Sequence, residues 1–190
     1  EYFEKLKLIS NKYNCDCTRK EWSEYQIYPL TCAKKGLEFK PGTSQIRFDV
    51  KNKDEPFYKS MGDFVLWRKE NIPSYQWVSL CDDISMGVTH IMRGIDLWES
   101  SMAQSYLAFS EKLDFVGKEH IYHHSLLTDG LRKLSKSQGD NSVYELLKAS
   151  QGPSRALKLF CDFYGVNARS YDELFQQDFE DKLALNTQKN

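Results

Sequence analysis

Three of the five cysteines stand at positions 15, 17 and 32, and this cluster constrains the fold of the N-terminal segment more than any other feature. In an extended segment residues two apart face the same side, so Cys15 and Cys17 can aim both sulfurs at one ion. Zinc takes four tetrahedral ligands and thiolates suit it, which leaves a fourth donor to be found. All four histidines (His90, His120, His123 and His124) lie far downstream, so the nearby candidates are Asp16, Glu21, Glu24, Tyr25 and Tyr28. The other two cysteines differ in kind. Cys81 follows Trp77-Val78-Ser79-Leu80 and Cys161 closes Ala156-Leu157-Lys158-Leu159-Phe160, so both read as small core hydrophobes. An odd cysteine count, with no cationic stretch and apolar run at the start, predicts reduced thiols and a cytoplasmic setting rather than a disulfide scaffold.

The 190 residues suit one domain, or one domain with a small appendage, and 41% hydrophobic with 14% aromatic residues suffice to bury a core. Apolar runs such as Phe64-Val65-Leu66-Trp67 are too short to cross a bilayer, so no membrane partner is expected. The formal net charge of -1 excludes a general nucleic-acid coater and leaves room for a local basic patch.

The spacing of Tyr2, Phe3, Leu6, Ile9 and Tyr13 predicts a helix to about Asn11, and Pro41-Gly42 closes the cysteine-bearing stretch as a turn. Ile46, Phe48 and Val50 alternate with polar residues as in a half-buried strand. Asp63–Arg68 and Ser74–Cys81 read as two further strands, and Gly87–Arg93 as another, with Thr89, Ile91 and Arg93 on one face. Ser100 or Ser101 caps a helix carrying Met102, Tyr106, Leu107 and Leu113. Ile121–Leu127 is a strand candidate leading into a polar loop, Thr128–Asp140. Helices are expected at Val143–Ala149, from Pro153 to Gly165, and after a capping box of Ser170 with Glu173. Strands alternating with helices, then a helical tail, indicate an α/β protein.

Two further stretches carry chemistry. Lys133 and Lys136, in the loop Arg132-Lys133-Leu134-Ser135-Lys136-Ser137, could close over a triphosphate and neutralise charge as pyrophosphate leaves. Arg93 ends an apolar strand, where a charge is costly unless paired; it could grip a carboxylate bidentately or pair internally with Asp82, Asp83 or Asp96. His120-Ile121-Tyr122-His123-His124 has no neighbouring carboxylate cluster, and alternation splits its histidines between two faces, so it is not read as a metal site.

Lys133-Leu-Ser-Lys-Ser137 resembles the KMSKS motif of class I aminoacyl-tRNA synthetases. Upstream, Asp82-Asp83-x-x-x-Gly87-Val88-Thr89-His90-x-x-Arg93-Gly94-x-Asp96-Leu97 is similar to a stretch of the glutamyl-type members. Tyr13-x-Cys15-x-Cys17-Thr18-Arg19 resembles the start of their zinc-binding insertion. Within the family the likeness is greatest to the short branch that glutamylates queuosine in tRNA(Asp), whose Cys-x-Cys…Tyr-x-x-x-Cys pattern is matched by Cys15, Cys17, Tyr28 and Cys32. The resemblance thereby selects Tyr28 as fourth ligand. The short stretch after Ser137 is expected to leave no room for an anticodon-binding domain.

The resemblance implies the second half of a Rossmann-like catalytic domain. Residues 1–42 would hold a helix and the zinc insertion, 43–140 the catalytic half with its loop, and 141–190 a helical tail. It implies ATP-dependent activation of glutamate, with Mg2+ accompanying ATP, and tRNA(Asp) as acceptor. Tyr75 and Arg93 match the family's glutamate-binding tyrosine and arginine, Lys136 its ATP-contacting lysine, and Lys133 a second phosphate neighbour. Zinc would be structural. Nothing upstream of Tyr13 matches the family's HIGH motif, so the chain alone is expected to be inactive, either as a monomer or until paired with an N-terminal half.

Overall fold

A computed structural model describes residues 1–115, 120–124, 126, 128–129, 132–133, 154, 157–158, 161–162, 165–170 and 172–173. The chain divides into two compact units, Glu1–Arg93 with Leu97–Ile121, and Gly94–Asp96 with Tyr122–Asn190.

In the first unit a short helix, α1 (Tyr2–Lys7), runs into an antiparallel sheet of β1 (Lys12–Cys15), β2 (Gln45–Phe48) and β3 (Val65–Trp67), in that order. The predicted helix to Asn11 therefore stops early, because Lys12 to Cys15 pair with Phe48 to Gln45. β2 meets β3 through Ile46–Trp67 and Arg47–Val65, with an irregularity between them. Such a break swings the flanking side chains off strict alternation. Ile46, Phe48 and Val50 are buried as expected, but Arg47 between them is buried too, so this strand is not half-solvated.

The stretch predicted as a strand at Ser74–Cys81 is instead a helix, α3 (Tyr75–Ser85). The Ser74 side chain accepts a hydrogen bond from the Trp77 amide at 3.4 Å, the geometry of an N-cap. Trp77, Leu80 and Cys81 then fall three and four apart on one buried face. Cys81 is a core residue, as its surroundings foretold. α4 (Trp98–Ser110) packs against α3; its cap is Leu97, and Ser101 donates to the Leu97 carbonyl instead of capping. The core assembles Phe48, Phe57, Leu66, Trp77, Leu80 and Leu107 between sheet and helices. α1 is fastened to α3 by Trp77 Nε1 donating to the Tyr2 carbonyl (3.0 Å), by Tyr2 hydroxyl donating to Asp82 (2.6 Å) and by Lys5 Nζ donating to Ser85 Oγ (2.8 Å).

Residues 16–44 leave the sheet edge as a loop with one 3-10 turn, Lys20–Trp22, and return. One glycine fixes where it lies. Gly62 ends the single-turn helix α2 (Tyr58–Met61) at φ +59, and a Cβ there would stand 3.1 Å from Ile27 Cβ. The backbone angle strains any side chain there, and the approach is tighter than an ordinary Cβ contact.

β4 (Ile91–Gly94) is shorter than the predicted Gly87–Arg93, though Ile91 and Arg93 are buried and Met92 exposed, as the alternation requires. The Ile91 amide donates to the carbonyl of His120, just before β5 (Ile121–His124). In the second unit, β6 (Thr128–Asp129) and β7 (Arg132–Lys133) form a hairpin inside the stretch expected to be loop. Leu157, Cys161 and Val166 are buried together; the Glu173 amide donates to Ser170 Oγ, one half of the predicted capping box, while Glu173 Oε2 accepts from the Arg169 amide rather than that of Ser170. The helix predicted at Val143–Ala149 lies outside the described residues.

Candidate functional site

The loop of residues 16–44 has an interior of its own, and it consists of donors. Cys15, Cys17, Tyr28 and Cys32 are all buried and form a cluster separate from the main core, with Tyr13, Trp22 and Leu37 packed around them. Cys15 ends β1, where pairing with Gln45 fixes it, and Cys17 follows two residues on. Glu21 accepts from both the amide and the hydroxyl of Thr18 (2.6 and 2.7 Å), which turns the chain back so that Tyr28 and Cys32 return to the cysteines.

The donor atoms converge. The three sulfurs lie within 4.8 Å of one another, with Cys17 and Cys32 Sγ 3.4 Å apart. Tyr28 hydroxyl stands 3.3 Å from Cys15 Sγ and 3.6 Å from Cys17 Sγ. Tetrahedral zinc with thiolate bonds of about 2.3 Å places sulfurs ~3.8 Å apart, close to this spacing. The set fits a structural ion: four protein donors would close the coordination sphere and leave no position for an activated water. Three thiols and a phenol give the loop little aliphatic core, so a central ion would supply the cohesion. Of the other fourth-ligand candidates, Tyr25 is exposed and Glu21 is taken up by Thr18, while Asp16 Oδ1 accepts from Cys32 Sγ at 3.2 Å.

Protonation follows local fields. Burial would raise the Cys15 thiol, but Tyr28, Gln45 and Arg47, with the Arg47 charge, outweigh it and bring Cys15 down to about 7. Burial pushes Cys17 up to about 11, and burial with the neighbouring thiols drives the Tyr28 phenol up as well. A divalent cation among them would favour every anionic form.

Beside the cluster lies an open groove of about 670 Å³, lined by Thr18, Arg19, Trp22, Arg68, Lys69 and Tyr75 among others. Arg19 stacks on Trp22 with its guanidinium carbon 3.9 Å from the ring centre, so this wall is aromatic and cationic together. Tyr75, the first residue of α3, is exposed at 44% and faces this groove.

Arg93 sits 5.9 Å from the Tyr75 ring centre. Its Nη1 donates to Gln104 Oε1 (2.6 Å) and Ser101 Oγ (3.2 Å), and its Nη2 to Ser79 Oγ (3.0 Å) and Asp83 Oδ2 (3.2 Å). The four terminal N–H bonds thus each have a partner inside the protein. Of the three aspartates the sequence offered, Asp83 closes the ion pair. Burial, only partly offset by Arg93, holds the Asp83 carboxyl above its ordinary range. Gln104, Ser79 and Ser101 were not legible as partners, since nothing marks a polar residue of α3 or α4 as facing inward.

The predicted site residues thus fall into groups. Cys15, Cys17, Tyr28 and Cys32 come together, and Tyr75 and Arg93 come together. Lys133 is placed by its backbone in β7, and Lys136 lies outside the described residues.

Residues 38–189 match the family model for the catalytic domain of class I tRNA synthetases (E and Q). The chain belongs to that family. It is 34% identical over 163 residues to a Glutamyl-Q tRNA(Asp) synthetase of Acinetobacter baylyi, covering 78% of this chain and 53% of that relative. It is 29% identical over 206 residues to a glutamate–tRNA ligase of Natranaerobius thermophilus, covering 94% and 42%. The chain therefore spans about half the length of the curated relatives it matches. Among solved structures, a glutamate tRNA ligase from Elizabethkingia meningosepticum superposes with a TM-score of 0.56 at 19% identity, over 73% of this chain and 35% of that one. That likeness shows the class I synthetase catalytic-domain fold and accords with the α/β class read from the sequence. Among the described residues no helix is long and apolar enough to cross a membrane.

Proposed function

We propose that this chain carries the second half of the catalytic domain of a glutamyl-type synthetase that activates glutamate with ATP and transfers it to queuosine in tRNA(Asp). The observation that favours the glutamate part is Tyr75 at the groove with Arg93 beneath it, a phenol and a guanidinium that can bracket an amino acid. A substrate carboxylate would take the place of Asp83 or Ser79 on Nη2, since that edge is already saturated. The relatives named Glutamyl-Q tRNA(Asp) synthetase favour queuosine as acceptor.

In this reading the substrate carboxylate oxygen attacks the α-phosphorus and pyrophosphate leaves. A hydroxyl of the RNA base then attacks the acyl carbonyl and AMP leaves. Both steps are mainly positioning and charge stabilisation. Arg93 and Tyr75 hold glutamate; Lys136, with Lys133, neutralises charge on the departing pyrophosphate; Mg2+ would travel with ATP. Cys15, Cys17, Tyr28 and Cys32 would hold a structural zinc, and residues 1–42, 43–140 and 141–190 would divide as insertion, catalytic half and tail.

The test is transfer of labelled glutamate, in a preparation that also supplies the part of the relatives' length this chain does not span. Queuosine-containing tRNA(Asp) should accept label, and its queuosine-free counterpart and tRNA(Glu) should not. Label on tRNA(Glu) would make this an ordinary glutamate–tRNA ligase.

A further inference from the structure

Arg47 lies in the middle of β2 with 3% of its surface exposed, and the ion pairs found among the described residues do not include it. A buried guanidinium without an anion is costly, so it calls for an explanation. Nη1 donates to the Asp63 carbonyl at 2.8 Å, while Nε–H finds no hydrogen-bond partner among the described residues. Two aromatic rings flank the group: its carbon is 3.9 Å from the centre of Tyr28 and 5.5 Å from that of Trp22. The strand register explains the placement. Tyr13 pairs with Arg47 and Cys15 with Gln45, so residues two apart on each strand share the face that carries the donors. Gln45 Nε2 confirms the direction of that face by reaching Cys15 Sγ at 3.6 Å.

The cluster has the complementary problem. A divalent cation with three thiolates carries one net negative charge, and two if the phenol binds as phenolate. Burying such an anion also needs a compensating charge. Lys35 is exposed, the half-buried Lys69 directs its Nζ to the Asp16 carbonyl, and Arg19 is stacked on Trp22 on the groove side.

We propose that Arg47 is the outer-sphere counter-ion of the Cys15–Cys17–Tyr28–Cys32 cluster, its guanidinium held over the Tyr28 ring to balance the excess negative charge of the loaded site. The inference rests on the reading that these four residues hold a metal ion, and it adds a fifth residue that positions and balances them without touching the ion. It also accounts for the use of tyrosine as a ligand, because a cation over the ring stabilises negative charge on the phenolic oxygen.

The test measures metal affinity by chelator competition at fixed pH, and the thiolate-to-metal charge-transfer band of the cobalt-substituted protein. Arg47→Gln, which keeps an N–H for the Asp63 carbonyl but no charge, should weaken zinc binding ~10–100-fold, the usual range for an outer-sphere partner. Arg47→Lys should recover most of that loss, and Arg19→Met should leave affinity unchanged. In a Tyr28→Phe background, Arg47→Gln should cost clearly less, since the charge it balances is smaller. If Arg47→Gln fails to fold with zinc in excess, the comparison of Arg47→Lys with wild type in both backgrounds carries the test, with near-equal affinities expected. Wild-type affinity in Arg47→Gln, or loss in Arg47→Lys equal to that in Arg47→Gln, would overturn the counter-ion role. A wild-type chain that binds neither zinc nor cobalt would remove the metal reading itself, and this inference with it.

Discussion

Arg93 Nη2 lies 3.2 Å from Asp83 Oδ2, and both side chains are largely withdrawn from water, at 8% and 16% exposure. Such a pair is worth little against a well-packed apolar substitute but is costly to break from one side. Asp83→Ala should lower stability by about 2–4 kcal/mol in urea unfolding, less than for a fully enclosed pair because Asp83 keeps some exposure. An unchanged midpoint and slope would show that the guanidinium does not depend on Asp83.

The same carboxyl gives a pH signature. Burial, opposed by Arg93 and reinforced by Asp82, raises Asp83 above its ordinary value of 3.8. A carboxyl raised in the folded state binds its proton more tightly there than in the unfolded chain, so its contribution to stability falls as pH rises through the window above 3.8. Asp83→Asn lacks that titration and still accepts a hydrogen bond. Its stability relative to wild type should therefore improve across that window. Parallel curves for the two proteins would refute the raised carboxyl.

Asp63 has no exposed surface, and its carboxylate accepts from Tyr13 hydroxyl (2.9 Å), the Val50 amide (3.2 Å) and Lys53 Nζ (2.8 Å). Asp63→Ala leaves the buried Val50 amide and the half-buried Tyr13 hydroxyl without their acceptor, while the more exposed Lys53 can turn to Asp49 or water, and should cost about 2–4 kcal/mol of stability. Tyr13→Phe, removing one donor and leaving two, should cost about 1 kcal/mol. Equal losses for the two variants would mean that the damage lies in packing rather than in the network.

Protein purified without added zinc should contain about one ion per chain, because four-ligand structural sites bind tightly. Cys32→Ser should lose it, with faster amide exchange across residues 16–44. Elemental analysis showing no metal in a chain whose loop is protected from exchange would contradict the assignment.

With the rest of the relatives' length supplied, Lys136→Ala should slow glutamate-dependent pyrophosphate exchange ~10²–10³-fold, the cost of removing one donor to the transition state. Glutamate KM should change little. A large KM rise at constant kcat would move Lys136 from phosphate to amino-acid recognition.

What could be read from the sequence was what is local. Cys15, Cys17 and Cys32 lie close along the chain, so ligand chemistry points at them, while the fourth donor stayed open among five neighbours until the family resemblance selected Tyr28. Ser74–Cys81 was misread because Trp77, Val78, Leu80 and Cys81 suit either a strand or a helix, and the Ser74 cap decides the matter. Arg93 could be seen to need a partner, and Asp83 was among the three offered. Arg47 could not be read, since an arginine between Ile46 and Phe48 looks like the solvated side of a strand until Tyr28 covers it. Gln104 escaped for the same reason, being one polar residue among several on α4.

The fastening of the first residues has a consequence for synthesis on the ribosome. Glu111 accepts from the Ser10 and Asn11 amides and from Asn11 Nδ2, and Asp82 accepts from Tyr2. Residues 1–11 therefore cannot settle until Glu111 has emerged, a contact distant enough in sequence to form late. The donor loop closes between positions 15 and 32 and needs no such wait. During elongation the order of assembly should be inverted with respect to the order of the chain: the donor loop, with any ion it holds, closes first, and α1, although it precedes the loop, docks after it.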